Sequence, residues 1–488
     1  MKTTMIKISK TLFFSIIFLF VFSKSNAQTA IIDVNNVHQY IDGFGASSAW
    51  NGRLSNAEEN AAFNNATNNQ LGLSILRVRI APDSLWSDEF LNAQKAKQKG
   101  VMIFATAWTP PAWMKTNDNT IGGVLKPERY SNYVSYLNSF CNYMLDANGN
   151  KMVDVLSIQN EPDITVGYES CYWNATQFEL FSKNNASDLQ PKVMIAESYD
   201  SNFQMTDSTL NDPLAAANIS FIGVHLYGTS ASNYTNAISK GKRVWMTEHY
   251  YNGEDINTCL TIANEIVDCM SNNFSAYIWW YLCAPGCNLI NSDATIQKKG
   301  YVMAQFSKFI RPGYYRIDAT YQPQTGVYVV AFKGASNTVI VAVNNNTTAI
   351  SQTFTISNES TNLSLTKYVT SSTKSVNAEG TVAYANSSFT DNLDAQSIST
   401  YVSSVISGVD QTQMTTIHIF PNPASDYIQM SSILNVSKIQ ITNLTGQQML
   451  TVLSPVETRI NISTYPKGAY LIGITQNEIM KTFKFIKY

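Results

Sequence analysis

The sequence predicts an α/β protein, a (β/α)₈ TIM barrel with an attached β-sandwich, followed by a small all-β domain at the C-terminus. Three observations carry this expectation. Between about residues 41 and 310, eight short apolar runs alternate with longer amphipathic stretches. Beyond residue 311 the texture turns to near-alternating Val, Thr, Ser, Asn and Tyr. From about residue 416 a last β-rich stretch is punctuated by turn residues.

Taken in chain order, the first element reads as a secretory leader. Lys2, Lys7 and Lys10 form a basic region, residues 11–22 are apolar but short for a bilayer, and Ser25-Asn26-Ala27 fits cleavage before Gln28. The strand candidates are 41–47, 73–80, 101–108, 153–160, 192–197, 221–227, 243–248 and 275–281. Continuous apolar strands separated by helices imply parallel strands buried on both faces, and eight such repeats imply closure into a barrel. Helical stretches at 55–67, 84–99, 130–145 and 260–272 fill the gaps. The barrel is therefore expected over 28–310. Runs such as 327–332 and 338–343 give an antiparallel sandwich over 311–405. A polar linker at 406–415 leads to the last domain, 416–488, with Phe420-Pro-Asn-Pro423, Asn443-Leu-Thr-Gly446 and Tyr465-Pro-Lys-Gly-Ala-Tyr470 as its turns.

Composition narrows the function classes. A net charge of −2 with 14% charged residues gives no basic surface for nucleic acid or anionic membrane. Most of the 26 Tyr and 8 Trp are expected in the core, and the rest are candidates for stacking on sugar faces. Six cysteines are too few and scattered for a disulfide scaffold, although Cys283 and Cys287 bracket a loop short enough to pair. Four histidines, none at ligand spacing, predict no metal site, and no cofactor is expected.

Two glutamates stand out. Glu161 closes Val153-Asp-Val-Leu-Ser-Ile-Gln-Asn-Glu-Pro162, and Glu248 closes Arg243-Val-Trp-Met-Thr-Glu248. In barrels of this class the site lies at the C-terminal strand ends, so both carboxylates face one mouth. Paired carboxylates, one protonated and one ionised, are what glycoside hydrolysis needs. Around them, Asn160 is placed to bond a sugar 2-hydroxyl. Arg77 is a cation to hold the nucleophile ionised, with Arg79 on the same strand face as its competitor. Tyr227 is a hydrogen-bond donor to the nucleophile. Trp108 and Trp113, in a loop stiffened by Pro110 and Pro111, form a candidate sugar platform, and Trp280 is favoured over Trp279 to face the mouth.

Together, Ile41-Asp-Gly-Phe-Gly45, Leu76-Arg-Val-Arg79, Ala107-Trp-Thr-Pro-Pro-Ala-Trp-Met-Lys115, Gln159-Asn-Glu-Pro162, His225-Leu-Tyr227 and Met246-Thr-Glu248 resemble glycoside hydrolase family 30 over about residues 30–405. The resemblance implies a barrel whose β-sandwich takes in the segment just after the leader. It also implies that Glu161 is the acid/base and Glu248 the nucleophile of a retaining mechanism. The runs 277–281 and 311–317 look most like the bacterial xylanase branch. Many of its members grip a glucuronic acid branch with an arginine after the eighth strand, and here that stretch reads Leu282-Cys-Ala-Pro-Gly-Cys287. The departure implies an endo-1,4-β-xylanase independent of glucuronate. Alternatives are a glucuronoxylan-specific enzyme, another β-glycanase of the family such as a β-1,6-glucanase, or a non-catalytic surface carbohydrate-binding protein. The C-terminal domain, through Phe420-Pro-Asn-Pro423, Leu444-Thr-Gly-Gln447, Gly468-Ala-Tyr-Leu471 and Lys481-Thr-Phe-Lys-Phe-Ile-Lys487, resembles the sorting domain read by the type IX secretion system of Bacteroidetes. The expected partners are xylan and that secretion machinery, with no nucleic acid, and the expected form is a secreted or cell-surface monomer.

Overall fold

Eight short strands close into a barrel because each is apolar on both of its faces. The computed structural model describes residues 29–359, 363–405, 417–431, 433, 436–455, 457–476 and 479–488. The leader expected at 1–27 and the linker expected at 406–415 lie outside them. The chain forms two units that divide after Ile406.

In the first unit, β1 (Ala30–Tyr40) precedes the barrel strands β2 (Gly43–Ser47), β3 (Ile75–Arg79), β4 (Met102–Thr106), β5 (Val153–Ser157), β6 (Lys192–Ser198), β7 (Phe221–His225), β8 (Arg243–Glu248) and β9 (Phe274–Tyr281). They pair in sequence order, all parallel, and β9 closes on β2. Strands β2 and β7 are buried at every residue, as two covered faces require. The barrel interior is filled by side chains of β3 to β9, including Ile75, Phe104, Met194, Phe221 and Trp245. Phe221 and Phe104 pack on Trp245 at 4.6 and 5.6 Å between ring centroids. The interior is therefore a packed core, which leaves the mouth as the place for chemistry.

The helices start where caps permit. Ser55 and Glu58 form a reciprocal capping box for Asn56–Phe63. The last long barrel helix begins at Ile256, four residues earlier than its apolar run suggests, because the Asp255 carboxylate caps the Asn257 and Thr258 amides. Its buried face runs Cys259, Ile262, Ala263, Ile266, Val267 and Met270, a helical spacing that packs on the barrel.

Eight further strands follow: β10 (Tyr315–Ala319), β11 (Val327–Lys333), β12 (Thr338–Asn344), β13 (Ile350–Ser357), β14 (Leu363–Thr370), β15 (Asn377–Val382), β16 (Ser388–Leu393) and β17 (Ser397–Val405). The sandwich is built from one continuous sheet. With β1, these strands form a single nine-stranded sheet in the order β15-β14-β17-β12-β11-β10-β1-β13-β16, and β1 pairs in parallel with β13. The sheet folds over so that Phe354 on β13 and Phe389 on β16 pack against Tyr401 on β17 at 5.4 and 5.0 Å. A buried glutamine joins this layer to the barrel side: Gln305 donates to Thr370 at 2.8 Å and accepts from Thr400 at 2.6 Å.

In the second unit, a sheet of Ile419–Phe420, Tyr427–Met430 and Arg459–Asn461 accompanies a four-stranded sheet of Gln448–Leu453, Val436–Asn443, Gly468–Gln476 and Ile479–Lys487. Ile428, Ile439, Ile441, Ile472 and Phe485 form its core. Cys283 and Cys287 do not pair, and all six cysteines are free. The loop between them is instead held by polar contacts: the Cys283 amide donates to Asn51 at 2.8 Å and the Cys287 carbonyl accepts from Trp279 at 2.5 Å.

Candidate active site

Glu248 is the last residue of β8, and Glu161 follows β5 by four residues. The route to Glu161 is not regular strand. Its φ is +43°, and Ala196 and Glu197 on β6 stand at +79° and +45°. Non-glycine residues rarely adopt such angles, and they persist where surrounding contacts over-determine them. A register shift in β6 between Ala196 and Ser198 and another in β8 between Met246 and Glu248, opposite Val224 and His225, re-aim the side chains at the mouth. Gly223 on β7 leaves the room this needs, since a Cβ there would lie 2.7 Å from Glu197 Cγ.

Arg77 is the hub. It is fully buried, and its guanidinium donates to Glu248 Oε2 at 2.5 Å, Asn160 Oδ1 at 2.6 Å, Glu197 Oε2 at 2.9 Å and Thr106 Oγ1 at 3.2 Å. Trp108 covers it, with the ring centroid 4.6 Å from the guanidinium carbon. The second oxygen of Glu248 accepts from Tyr227 Oη at 2.9 Å. Glu161 is held on both sides as well: Tyr168 Oη donates to Oε2 at 2.7 Å, and His225 Nδ1 lies 3.0 Å from Oε1. One carboxylate oxygen of Glu161 and one of Glu248 lie within 4.8 Å of each other.

The electrostatics follow from this packing. Burial works against a charged His225, yet Glu248, Glu161 and Glu197 together raise its pKa to about 9. Burial would raise the Glu197 carboxyl, but Arg77 and His225 hold it below the ordinary range. Glu248 is pushed up by burial and by the Glu161 charge, against the pull of His225 and Arg77. Arg77 thus acts in the anticipated direction on Glu248, and desolvation outweighs it. Tyr227 is raised by burial and by the Glu248 charge, so its hydroxyl keeps its proton and donates. Glu161, His225 and Glu248 are spaced closely enough for one cation. However, the guanidinium already occupies Glu248, and a protonated imidazole has no lone pair to give.

His225 makes a pH prediction. Its pKa rises from about 6.5 unfolded to about 9 folded. The stability it contributes is therefore fully present below pH 6.5 and is lost as pH rises through 9. The melting temperature should fall between pH 6.5 and 9.5, and a His225→Gln variant should flatten that slope. Equal slopes in both proteins would rule out His225 as the titrating group.

The two carboxylates open onto a cleft of about 680 Å³. Trp50, Trp108 and Trp280 line one wall, their ring centroids 5.0 to 6.1 Å apart. Tyr199 stacks on Tyr227 at 5.0 Å on another. Of the residues singled out from sequence, Glu161, Glu248, Trp108, Tyr227 and Trp280 line the cleft, and Asn160 and Arg77 sit directly beneath. Trp279 is buried, as alternation predicts for its neighbour. Arg79 is separated from Arg77: it pairs with Glu169 and stacks over Trp50 at 4.7 Å. Trp113 is the correction among the aromatics. It is half exposed beside a different groove, because the short helical turn Ala112–Met114 carries it away from Trp108. Glu197, His225, Tyr168 and Trp50 were not singled out as site residues. His225 ends β7 and Glu197 is the last residue but one of β6, close to the signal that found Glu248, whereas nothing local marks Tyr168 or Trp50.

Comparisons with known proteins bear on the family and the fold. Residues 76–321 match the family described as glycosyl hydrolase family 59, and residues 418–488 match the secretion system C-terminal sorting domain. A glucuronoxylanase of Bacillus subtilis (strain 168) is 36% identical over 394 residues, covering 77% of this chain and 92% of its own. The crystal structure of a glycoside hydrolase family 30 subfamily 8 xylanase from Clostridium acetobutylicum is 43% identical with a TM-score of 0.73, covering 77% of this chain and 99% of that one. A GH30 endoxylanase from Clostridium papyrosolvens C71 is 39% identical with a TM-score of 0.71, covering 77% and 100%. The family 59 match covers about half of the chain, whereas the family 30 structures are matched over nearly their whole length.

Proposed function

Since the chain belongs to glycoside hydrolase family 30, we propose that it is a retaining endo-1,4-β-xylanase that does not depend on glucuronic acid branches. The observation that carries the retaining reading is the approach of Glu161 and Glu248 oxygens to within 4.8 Å. Carboxyl groups about 5–5.5 Å apart suit double displacement, whereas inversion needs roughly 6.5–9.5 Å to admit a water between them.

In this reading Glu248 attacks the anomeric carbon while Glu161 protonates the departing glycosidic oxygen. Arg77 and Tyr227 hold the two Glu248 oxygens in place for attack. In the second step Glu161, held by His225 and Tyr168, takes a proton from water as the water oxygen bonds the anomeric carbon and the ester bond to Glu248 breaks, releasing the sugar. Asn160 uses its Oδ1 on Arg77, leaving its amide NH₂ for the sugar 2-hydroxyl.

Independence from glucuronate rests on the charges around the cleft. The 282–287 loop has no arginine, and neither lysine nor arginine lines the cleft among the described residues. Arg77 is buried and engaged by two carboxylates, and Arg79 is paired with Glu169. An acidic branch would therefore meet carboxylates rather than a free cation. The C-terminal unit is a sorting domain, so the protein is exported, secreted or held at the cell surface. Removal of a leader over residues 1–27 belongs to the same proposal.

The test is a product profile on glucuronoxylan, arabinoxylan and linear xylo-oligosaccharides. All three should yield a ladder of short oligomers. Cleavage confined to glucuronoxylan would overturn the glucuronate independence, and no cleavage of any would overturn the xylanase reading.

A further inference from the structure

The loop that carries Trp108 into the cleft presents Trp113 to a second concavity, a groove of about 710 Å³. Trp113 is 50% exposed, large for an indole with no functional role. One face is backed by the Arg129 guanidinium, 5.2 Å from the ring centroid, which fixes the ring's orientation without occupying the groove. Pro82, Pro111 and Met114 add apolar surface beside it. Across the groove, the side chains of Ser84, Thr120 and Asn132 make no hydrogen bond among the described residues. A rigid aromatic face rimmed by uncommitted hydroxyl and amide groups matches a sugar ring, whose C–H face stacks while its hydroxyls bond outward.

Charge narrows the ligand. The charged groups lining the groove are the carboxyls Asp83 and Glu169, the latter paired with Arg79. Among the described residues no lysine or arginine lines it, so nothing there holds a polyanion and a neutral chain is accepted. Position narrows it further. Tyr168 lines the catalytic cleft and the next residue, Glu169, lines the groove. Arg79 joins the two, bonding Glu169 while its guanidinium lies 4.7 Å from the ring centroid of Trp50 on the cleft wall.

We propose that the Trp113 groove is a second saccharide-binding site, which holds a neutral stretch of the polysaccharide whose scissile bond lies in the cleft. This rests on the xylanase reading above. The groove contributes to binding of long chains and not of those short enough to be held by the cleft alone.

The test uses the full chain carrying Glu248→Gln, so that substrate persists. Affinity for soluble arabinoxylan is measured by retardation in a polymer-containing gel, and affinity for xylotriose by calorimetry. Adding Trp113→Ala should lower the ratio of polymer to trisaccharide affinity by about tenfold, the scale of one lost aromatic stack. Ser139→Phe, at an exposed helical position in the groove, should lower it likewise by filling the space without touching Trp113. An unchanged ratio in both variants overturns the second site. If the Glu248→Gln protein binds neither saccharide, and the wild type cleaves no xylan, the xylanase reading fails and takes this inference with it.

Discussion

Replacing Glu248 by Gln should lower turnover on xylan by roughly 10⁴-fold or more, because the proposed mechanism makes it the residue that forms the covalent bond. The fold should survive, since an amide keeps the shape and its oxygen still accepts from Arg77, while the Tyr227 hydroxyl can turn to accept from the amide NH₂. Glu161→Gln should behave differently. Loss of a general acid costs about 10²–10⁴-fold when the leaving group needs a proton. An aryl xylobioside with an acidic phenol needs none, so the first step should remain fast, and a burst of phenol should precede slow release of the sugar. Rapid-mixing kinetics on the two variants separates the roles. Equal losses on xylan and on the aryl substrate by Glu161→Gln would refute its assignment as the acid.

The second large effect is expected at Arg77. Arg77→Met keeps much of the side-chain volume but leaves Glu197 and Glu248 without their shared cation, both against the barrel core. Breaking a buried ion pair by removing one partner costs about 3–5 kcal/mol, because the remaining charge is uncompensated. Thermal or denaturant unfolding at pH 7 should show that loss, and activity should fall with it. The sign of the pH dependence is a further check. Without the guanidinium, the folded-state pKa values of the two carboxyls rise above their unfolded values, so the penalty applies at pH above the raised values. It should shrink as pH falls from 7 towards 5 and the carboxyls protonate. A variant as stable as the wild type at pH 7 would show that the cluster does not need Arg77.

Much of this site was legible in the sequence for one reason. Parallel barrel strands are apolar along their whole length, so a charged residue closing such a run is conspicuous, and barrel topology sends every strand end to the same mouth. That logic located Glu161 and Glu248, and it applies equally to Glu197 and His225. Those two were passed over because a second carboxylate and an imidazole among carboxylates gain meaning only from what they face. Arg77 and Arg79 illustrate the limit. Two residues apart on one strand, they share a face by alternation, yet Arg79 sits nearer the mouth, where Glu169 and Trp50 capture it. Trp108 and Trp113 illustrate it again: a rigid loop was readable, but the direction of its far end was set by a single helical turn.

The sequence by itself determined the barrel, the β-rich layer beside it, the C-terminal β domain and the pair of glutamates. Each of these depends on local periodicity, on turn chemistry or on the end of an apolar run. Only the tertiary structure decided which cation serves the carboxylates, which tyrosine touches Glu161, and that the β-rich strands hydrogen-bond as one folded sheet. Those outcomes depend on contacts between residues far apart in the chain, 171 positions for Arg77 and Glu248 and 64 for His225 and Glu161. Strand periodicity places a side chain on one face or the other, but its partner is chosen by register shifts and close approaches that exist only once the barrel has closed.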